Sequence, residues 1–275
     1  MPELPEVEIV TRALRPHLSD RMITGVEVRV SKLRSFLAPE RLAAVVGREI
    51  IRVRRRAKYI IIEFAGQQAM VIHLGMSGSL RVVPQLLPPA KHEHLIWSLD
   101  NGLSLRFNDP RRFGMVDMHV LGEPGAMPEF LLLLPPEPLD DAFSATYLTQ
   151  VARGRRRPVK SLLMDNRFVV GVGNIYANEA LFRAALRPTK PAGTMTGRQC
   201  AMLVQAIKEV LREAIAAGGT TISDFASVDG SEGRFARQLF VYGRVGESCP
   251  VCRQRVIVKE VLAGRSTYYC PRCQR

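Results

Sequence analysis

Over the first 130 or so residues, apolar positions recur in short runs of alternating or β-branched character. Runs at Ile23–Val30, Tyr59–Phe64, Ala69–Leu74, His94–Leu99, Leu103–Phe107 and Met115–Leu121 predict strands, since a pleated strand sends successive side chains to opposite faces. Turn formers separate them at Ala65-Gly66, Asp100-Asn101-Gly102 and Asn108-Asp109-Pro110. So many short strands imply a sandwich or barrel-like sheet. A helix is expected ahead of them. Val7, Val10, Leu14 and Leu18 share one helical face, and Pro5 falls in a first turn, where a missing N–H costs nothing.

The pattern changes after Leu134-Pro135-Pro136-Glu137-Pro138, a proline-rich stretch that reads as a linker. Beyond it the spacing is helical. The clearest helix opens at Thr196 with Gln199 completing a capping box. It carries Leu203, Ile207, Val210, Leu211, Ala214 and Ile215 on one face and ends at Gly218-Gly219. Cys200, in its first turn, reads as packing. The last thirty or so residues form a small third unit.

Charge narrows the class of partner. Lys and Arg number 39 against 26 acidic residues, a formal net charge of +13, which points to a polyanion, nucleic acid before anionic membrane. No apolar run is long enough to span a bilayer, and MPELPEVEIV lacks the apolar core of a secretion signal. A cytoplasmic setting is therefore expected, with reduced cysteines. There, paired cysteines mean metal rather than disulfides.

Cys249-Pro-Val-Cys252 and Cys270-Pro-Arg-Cys273 are such pairs, with seventeen residues between them. The spacing is that of two knuckles giving four thiolates to one structural Zn2+, with no coordination position left for catalysis. Val256–Val261 and Thr267–Tyr269 are expected as a hairpin whose turn, around Gly264, presents Arg265 at its tip. A second signal is Val170-Gly171-Val172-Gly173-Asn174, a glycine-rich loop entering a helix, able to turn backbone N–H groups towards a phosphate. The basic runs Arg52–Lys58 and Arg153–Lys160 add positive charge to both halves, as a duplex would require.

Pro2 offers a different chemistry. Removal of Met1 would leave a secondary amine. At pH 7 roughly a tenth of an α-amino group is uncharged, against about 0.04% of a lysine. Such an amine can attack a sugar carbon and form an iminium, which acidifies the neighbouring C–H and permits elimination of phosphate. Glu3 and Glu6 stand beside it as proton donors or relays. Charge and zinc alone leave two other readings open: a noncatalytic DNA-binding module, and an RNA- or ribosome-associated zinc protein.

Seven segments in order, MPELPEVE, HLGMSGSLR, NDPRRFG, LLMDNRFVVGVGNIYANEALF, TTISDF, FVYGR and GRSTYYCPRC, closely resemble the formamidopyrimidine-DNA glycosylase family. The resemblance runs end to end. It implies an α+β multidomain fold: an N-terminal β-sandwich at 1–131, a linker at 132–146, a helix–two-turn–helix domain at 147–242 and a four-cysteine zinc finger at 243–275. The activity implied is that of a bifunctional glycosylase and abasic-site lyase, excising oxidised purines from damaged double-stranded DNA in base excision repair. A monomer in the bacterial cytoplasm, associated with the nucleoid, is expected.

By the same resemblance, Pro2 is the nucleophile and Glu3 the acid that opens the sugar ring, with Glu6 in the same pocket. Lys58 is a phosphate contact and proton donor in β-elimination. Arg265 serves δ-elimination and phosphate binding, and Asn174 holds the phosphate at the lesion. His92, Arg155 and Lys160 match backbone-contacting positions. Met76, Arg111 and Phe113 match the side chains that enter the duplex, filling the space of an extruded base and meeting its orphaned partner. Thr220–Tyr242 matches a lesion-capping loop. Ile9 and Val10 depart from the small polar residues that members often carry there. The sibling endonuclease VIII, which prefers oxidised pyrimidines, usually opens Pro-Glu-Gly-Pro. The Pro-Glu-Leu-Pro opening here sides with the purine-specific branch.

Overall fold

The computed structural model describes residues 2–123, 125–220 and 235–275. The chain divides into two compact units, 1–133 with 218–234, and 134–217 with 235–275.

The first unit begins with α1 (Leu4–Leu18), followed by β1 (Ile23–Val28), the short α2 (Pro39–Ala43), β2 (Ile50–Arg56), β3 (Tyr59–Phe64), β4 (Gln68–His73), β5 (Ser79–Pro84), β6 (Glu93–Leu99), β7 (Leu103–Asn108), β8 (Met115–Val120) and the single turn α3 (Glu129–Leu132). Two four-stranded antiparallel sheets form, in the orders β1-β6-β7-β5 and β2-β3-β4-β8. Their facing sides share one apolar core. Leu80, Leu95, Trp97, Leu105 and Phe107 come from one sheet, Val53, Ile60, Ile62, Met70 and Ile72 from the other. Helix α1 adds Val7, Val10, Leu14 and Leu18, the face its spacing predicts. Val10, where the resemblance implies a small polar residue, is a core residue.

Two strands escaped the sequence reading. In β2 only Ile50 and Val53 are buried, and arginines fill most of the rest of the strand. A register shift between Ile50 and Arg52 further breaks the alternation. Strand β5 emerges directly from the Gly75–Gly78 turn, where its apolar residues read as part of a motif.

The second unit is helical: α4 (Ala145–Ala152), α5 (Val159–Leu163), α6 (Asn174–Arg183) and α7 (Gly197–Ala216). The capping box of α7 forms as read, Thr196 Oγ1 accepting from Gln199 N at 3.2 Å and Gln199 Oε1 from Thr196 N at 3.1 Å. Cys200 is fully buried. Two successive turns join α5 to α6. Asp165 organises the first, accepting from Arg157 Nη1 and Arg167 Nη2, each at 2.7 Å. The Arg167 guanidinium, then Arg157, hold its carboxyl well below the usual range. Gly171 takes the positive φ (+78°) that brings the chain to the N-terminus of α6.

The unit closes with the hairpin β9 (Val258–Leu262) and β10 (Arg265–Tyr269). Ala263 and Gly264 both have positive φ (49° and 72°), the two-residue turn whose twist suits a hairpin. Arg265 is therefore the first residue of β10 rather than the tip itself, and it is exposed.

Candidate active site and zinc module

Pro2 is buried just ahead of α1. Glu3 and Glu6, 2% and 3% exposed, are drawn together by the start of that helix. Glu6 Oε2 accepts Glu3 N–H at 2.9 Å, and the Glu3 side chain caps Glu6 N–H in return. The other Glu6 oxygen accepts both Thr220 N–H (3.1 Å) and Thr220 Oγ1–H (2.9 Å). One carboxylate thereby joins the beginning of the chain to residue 220. Gly219 is required there: with φ +80° it brings the backbone so close that a Cβ would lie 3.0 Å from Ile9 Cδ1 and 3.3 Å from Glu6 Oε1. Of the expected lesion-capping loop, residues 221–234 lie outside the described residues.

Lys58 occupies the two-residue connection between β2 and β3, next to Ala57 at φ +53°. It is 7% exposed. The connection is braced from α1. Glu8 Oε2 accepts from Arg55 Nε at 2.8 Å, and Arg55 Nη1 donates to Ala57 O at 2.8 Å. Burial raises the Glu8 carboxyl, but the bonds from Arg55 and Arg12 outweigh it and leave it lowered. His73, at the end of β4, packs edge-on to Tyr59 with centroids 5.1 Å apart and accepts Gly75 N–H at Nδ1 (2.9 Å). Burial, then the charges of Lys58 and Arg34, push its imidazole down to about 4.

Met76, Arg111 and Phe113 lie on two neighbouring turns. Phe113 is 45% exposed with the Arg111 guanidinium 4.8 Å from its ring centre, while Met76 is half-buried. Phe113 and Arg111 are thus more open to a duplex than Met76. His92 is half-buried beside His94, ring centres 6.2 Å apart.

In the second unit the four sulfurs of Cys249, Cys252, Cys270 and Cys273 lie within 4.8 Å of one another. Cys249–Cys273 and Cys252–Cys270 are separated by 3.8 and 3.7 Å. Zn–S bonds of about 2.3 Å in a tetrahedron have edges of about 3.8 Å, so the donor set fits zinc. Backbone N–H from Gln254 pulls the Cys252 thiol down to about 6. Burial, then the neighbouring sulfurs, pushes Cys273 up to about 12. Four thiolates this close need a dication to ionise together.

The knuckles have little core of their own. Cys249, Cys270 and Ile257 share a cluster with Val241 and with Phe182 of α6. Polar ties complete the joint. Asn178 Oδ1 accepts Tyr268 N–H (2.8 Å), and Gln274 joins Cys270 N to Leu186 O, each bond 2.9 Å. Lys160, expected at a DNA backbone, is instead 1% exposed. Its Nζ donates to Ser266 O and Thr267 Oγ1, both 2.8 Å, directly beneath Arg265. Arg155 is exposed, with its guanidinium 4.2 Å from the Phe168 ring centre. Asn174 starts α6, and its Oδ1 is buried without a hydrogen-bond partner among the described residues.

Sequence reasoning missed several residues. Glu179, fully buried on α6, accepts N–H from Phe240, Val241 and Tyr242 at 2.8–3.0 Å. Burial dominates and raises its carboxyl. Asn178 and Asp109 are likewise fully buried polar anchors. Their only signal was position inside the NEALF and NDPRRFG segments.

A two-sheet domain that buries an N-terminal glutamate pair, a helical domain and a four-cysteine zinc finger together define a class of DNA-repair glycosylase. Three family models match in order: the formamidopyrimidine-DNA glycosylase N-terminal domain at 1–116, its H2TH domain at 134–226, and a zinc finger found in FPG and IleRS at 246–275. The chain belongs to the formamidopyrimidine-DNA glycosylase family and is an enzyme of that kind. The formamidopyrimidine-DNA glycosylases of Laribacter hongkongensis and Stenotrophomonas maltophilia are 50% and 49% identical over 275 residues, covering all of both chains. The MutM (Fpg) crystal structure from Thermus thermophilus superposes with TM-score 0.86 at 40% identity, covering 99% of this chain and 98% of that one. A Lactococcus lactis Fpg mutant complexed with Fapy-dG DNA gives TM-score 0.91 at 31% identity over the full length of both. The cysteine quartet is a structural zinc finger. Among the described residues no helix is long and apolar enough to cross a membrane.

Proposed function

We propose that this enzyme removes oxidised purines, formamidopyrimidines and 8-oxoguanine, from duplex DNA and then cuts the strand, with the Pro2 amine as nucleophile once Met1 is gone. The carrying observation is the burial of Pro2 against the Glu3–Glu6 pair. Pro2 stands just ahead of the first turn of α1, which brings the two glutamates together. Nitrogen bonds to C1′ as the bond from C1′ to the base breaks. Glu3 protonates the sugar ring oxygen, and the ring opens to an iminium. Loss of a C2′ proton then expels the 3′ phosphate, and a second elimination expels the 5′ phosphate. Lys58, buried at its turn, serves the first elimination, and Arg265, exposed on β10, the second.

His92, Arg155 and Asn174 contact the DNA backbone. Lys160 contributes chiefly by supporting the Arg265 hairpin from below. Met76, Arg111 and Phe113 enter the duplex, with Arg111 facing the orphaned base, expected to be cytosine. The roles divide along the chain: the nucleophile, its glutamates and Lys58 in 1–131, a linker at 132–146, DNA grip in 147–242, and the zinc finger with Arg265 at 243–275. The net charge of +13 supports duplex binding; the enzyme acts as a monomer in the cytoplasm, at the nucleoid.

Borohydride added during reaction with an oxidised-purine duplex should trap a covalent adduct at the N-terminal peptide. A protein retaining Met1 should form none. Undiminished incision by the blocked form would refute the assignment.

A further inference from the structure

Asp109 has no exposed surface, yet it carries a carboxylate. Its Oδ1 accepts Ser77 Oγ–H at 2.6 Å and its Oδ2 accepts Gly114 N–H at 2.7 Å. Ser77 Oγ in turn accepts Arg111 N–H at 3.2 Å. The Asp109 backbone N–H donates to His92 O (3.0 Å). Its carbonyl accepts Arg112 N–H (3.2 Å) and lies 3.0 Å from His94 Nε2. The two turns that carry Met76 and Arg111–Phe113 thus meet at one buried side chain. Their backbones also touch. Gly75 has φ +66°, and a Cβ there would come within 2.4 Å of the Phe113 carbonyl carbon and 2.6 Å of Gly114 N. Arg112 holds a left-handed φ of +54°, which the surrounding bonds must impose.

We infer that Asp109, through Ser77, is a positioning residue for base extrusion: it locks the Met76 turn and the Arg111–Phe113 turn into one preformed body, so that opposite-base discrimination depends on it. This rests on the reading of Met76, Arg111 and Phe113 as the side chains that enter the duplex. Inserting groups that are already ordered avoids the entropy loss of ordering two loops on DNA. A buried carboxylate suits the task because both its oxygens accept, and loss of either bond strands a buried donor. Asn at 109 keeps one acceptor and sets an NH2 group against either Gly114 N–H or Ser77. Ala at 77 leaves Arg111 N–H and one Asp109 oxygen unpaired.

The test compares Asp109→Asn, Ser77→Ala and the double variant under single-turnover conditions on two kinds of duplex. One carries an oxidised purine opposite cytosine or adenine. The other carries a preformed abasic site, which has no stacked base to expel. Thermal melting is recorded alongside. Expected are a tenfold or greater loss of oxidised-purine excision by Asp109→Asn, a compressed cytosine-over-adenine preference, and abasic-site cleavage within about threefold of the unsubstituted protein. The double variant should lose no more than the worse single, because the two residues act as a unit. Equal losses on both duplexes, or excision within twofold of the unsubstituted protein, overturn the inference. Met76→Ala and Phe113→Ala are run in parallel. If they leave excision intact, the duplex-entry reading fails and takes this inference with it. If they impair excision while Asp109→Asn does not, only the inference fails.

Discussion

At the scale of single residues, the site relies on buried polar groups that are held by backbone and side-chain partners alike. His73 shows what this implies for pH. Burial and the Lys58 and Arg34 charges place its folded value at about 4, below the 6.5 of a free imidazole. The unfolded chain therefore takes up the proton first. The stability His73 contributes is complete above about pH 6.5 and declines as pH falls towards 4. Protonation at Nδ1 would also break its bond to Gly75 N–H. At pH 5 the unfolding free energy should be lower than at pH 7.5, with His73 accounting for on the order of 1–2 kcal/mol of the difference. In urea titrations, His73→Asn should show a smaller drop. An identical drop would remove His73 as the cause. Glu179→Gln should cost about 1–3 kcal/mol, since an amide cannot accept all three N–H bonds that the carboxylate now takes. Chemical denaturation should read this out.

At the scale of elements, what was legible in the sequence followed physical regularity. Helix α1 matched its spacing, and α7 its capping box, because both bury an uninterrupted apolar stripe. Thr196→Ala should accordingly destabilise the protein by about 1 kcal/mol, seen as a lowered melting temperature with unchanged zinc content. Strand β2 stayed hidden because Arg54 pairs with Glu63 and Arg55 with Glu8, bonds that periodicity does not register. The two-residue turn of the zinc hairpin was misjudged by a position or two, since Val256 and Ile257 precede the ladder and Arg265 begins it. The four cysteines were legible from their spacing. Asp109, Asn178 and Glu179 were not, since an anchor acts through backbone atoms that are distant in the chain and leave no local pattern.

At the scale of the whole molecule, charge and metal set the response to conditions. With a net charge of +13 concentrated in arginine runs, DNA affinity should fall steeply with salt, log K declining linearly with log salt concentration. Titrations at several ionic strengths would check the slope, and substitution of Arg155 should reduce it by about one phosphate's share. Chelation of zinc, or Cys249→Ser, should weaken DNA binding and lower thermal stability, because the turn before Arg265 loses its support. Full lesion affinity in zinc-free protein would uncouple the two.

The sharing of Phe182 and Val241 with Cys249, Cys270 and Ile257 has a consequence for modularity. The finger is not a portable part. A peptide cut at Tyr242 and refolded with metal would expose the apolar side that α6 now covers, and a graft onto a foreign scaffold would inherit the same defect. The smallest piece that could be transplanted intact includes the helix from Asn174 to Arg183. Evolution, like an engineer, would have to move the two together.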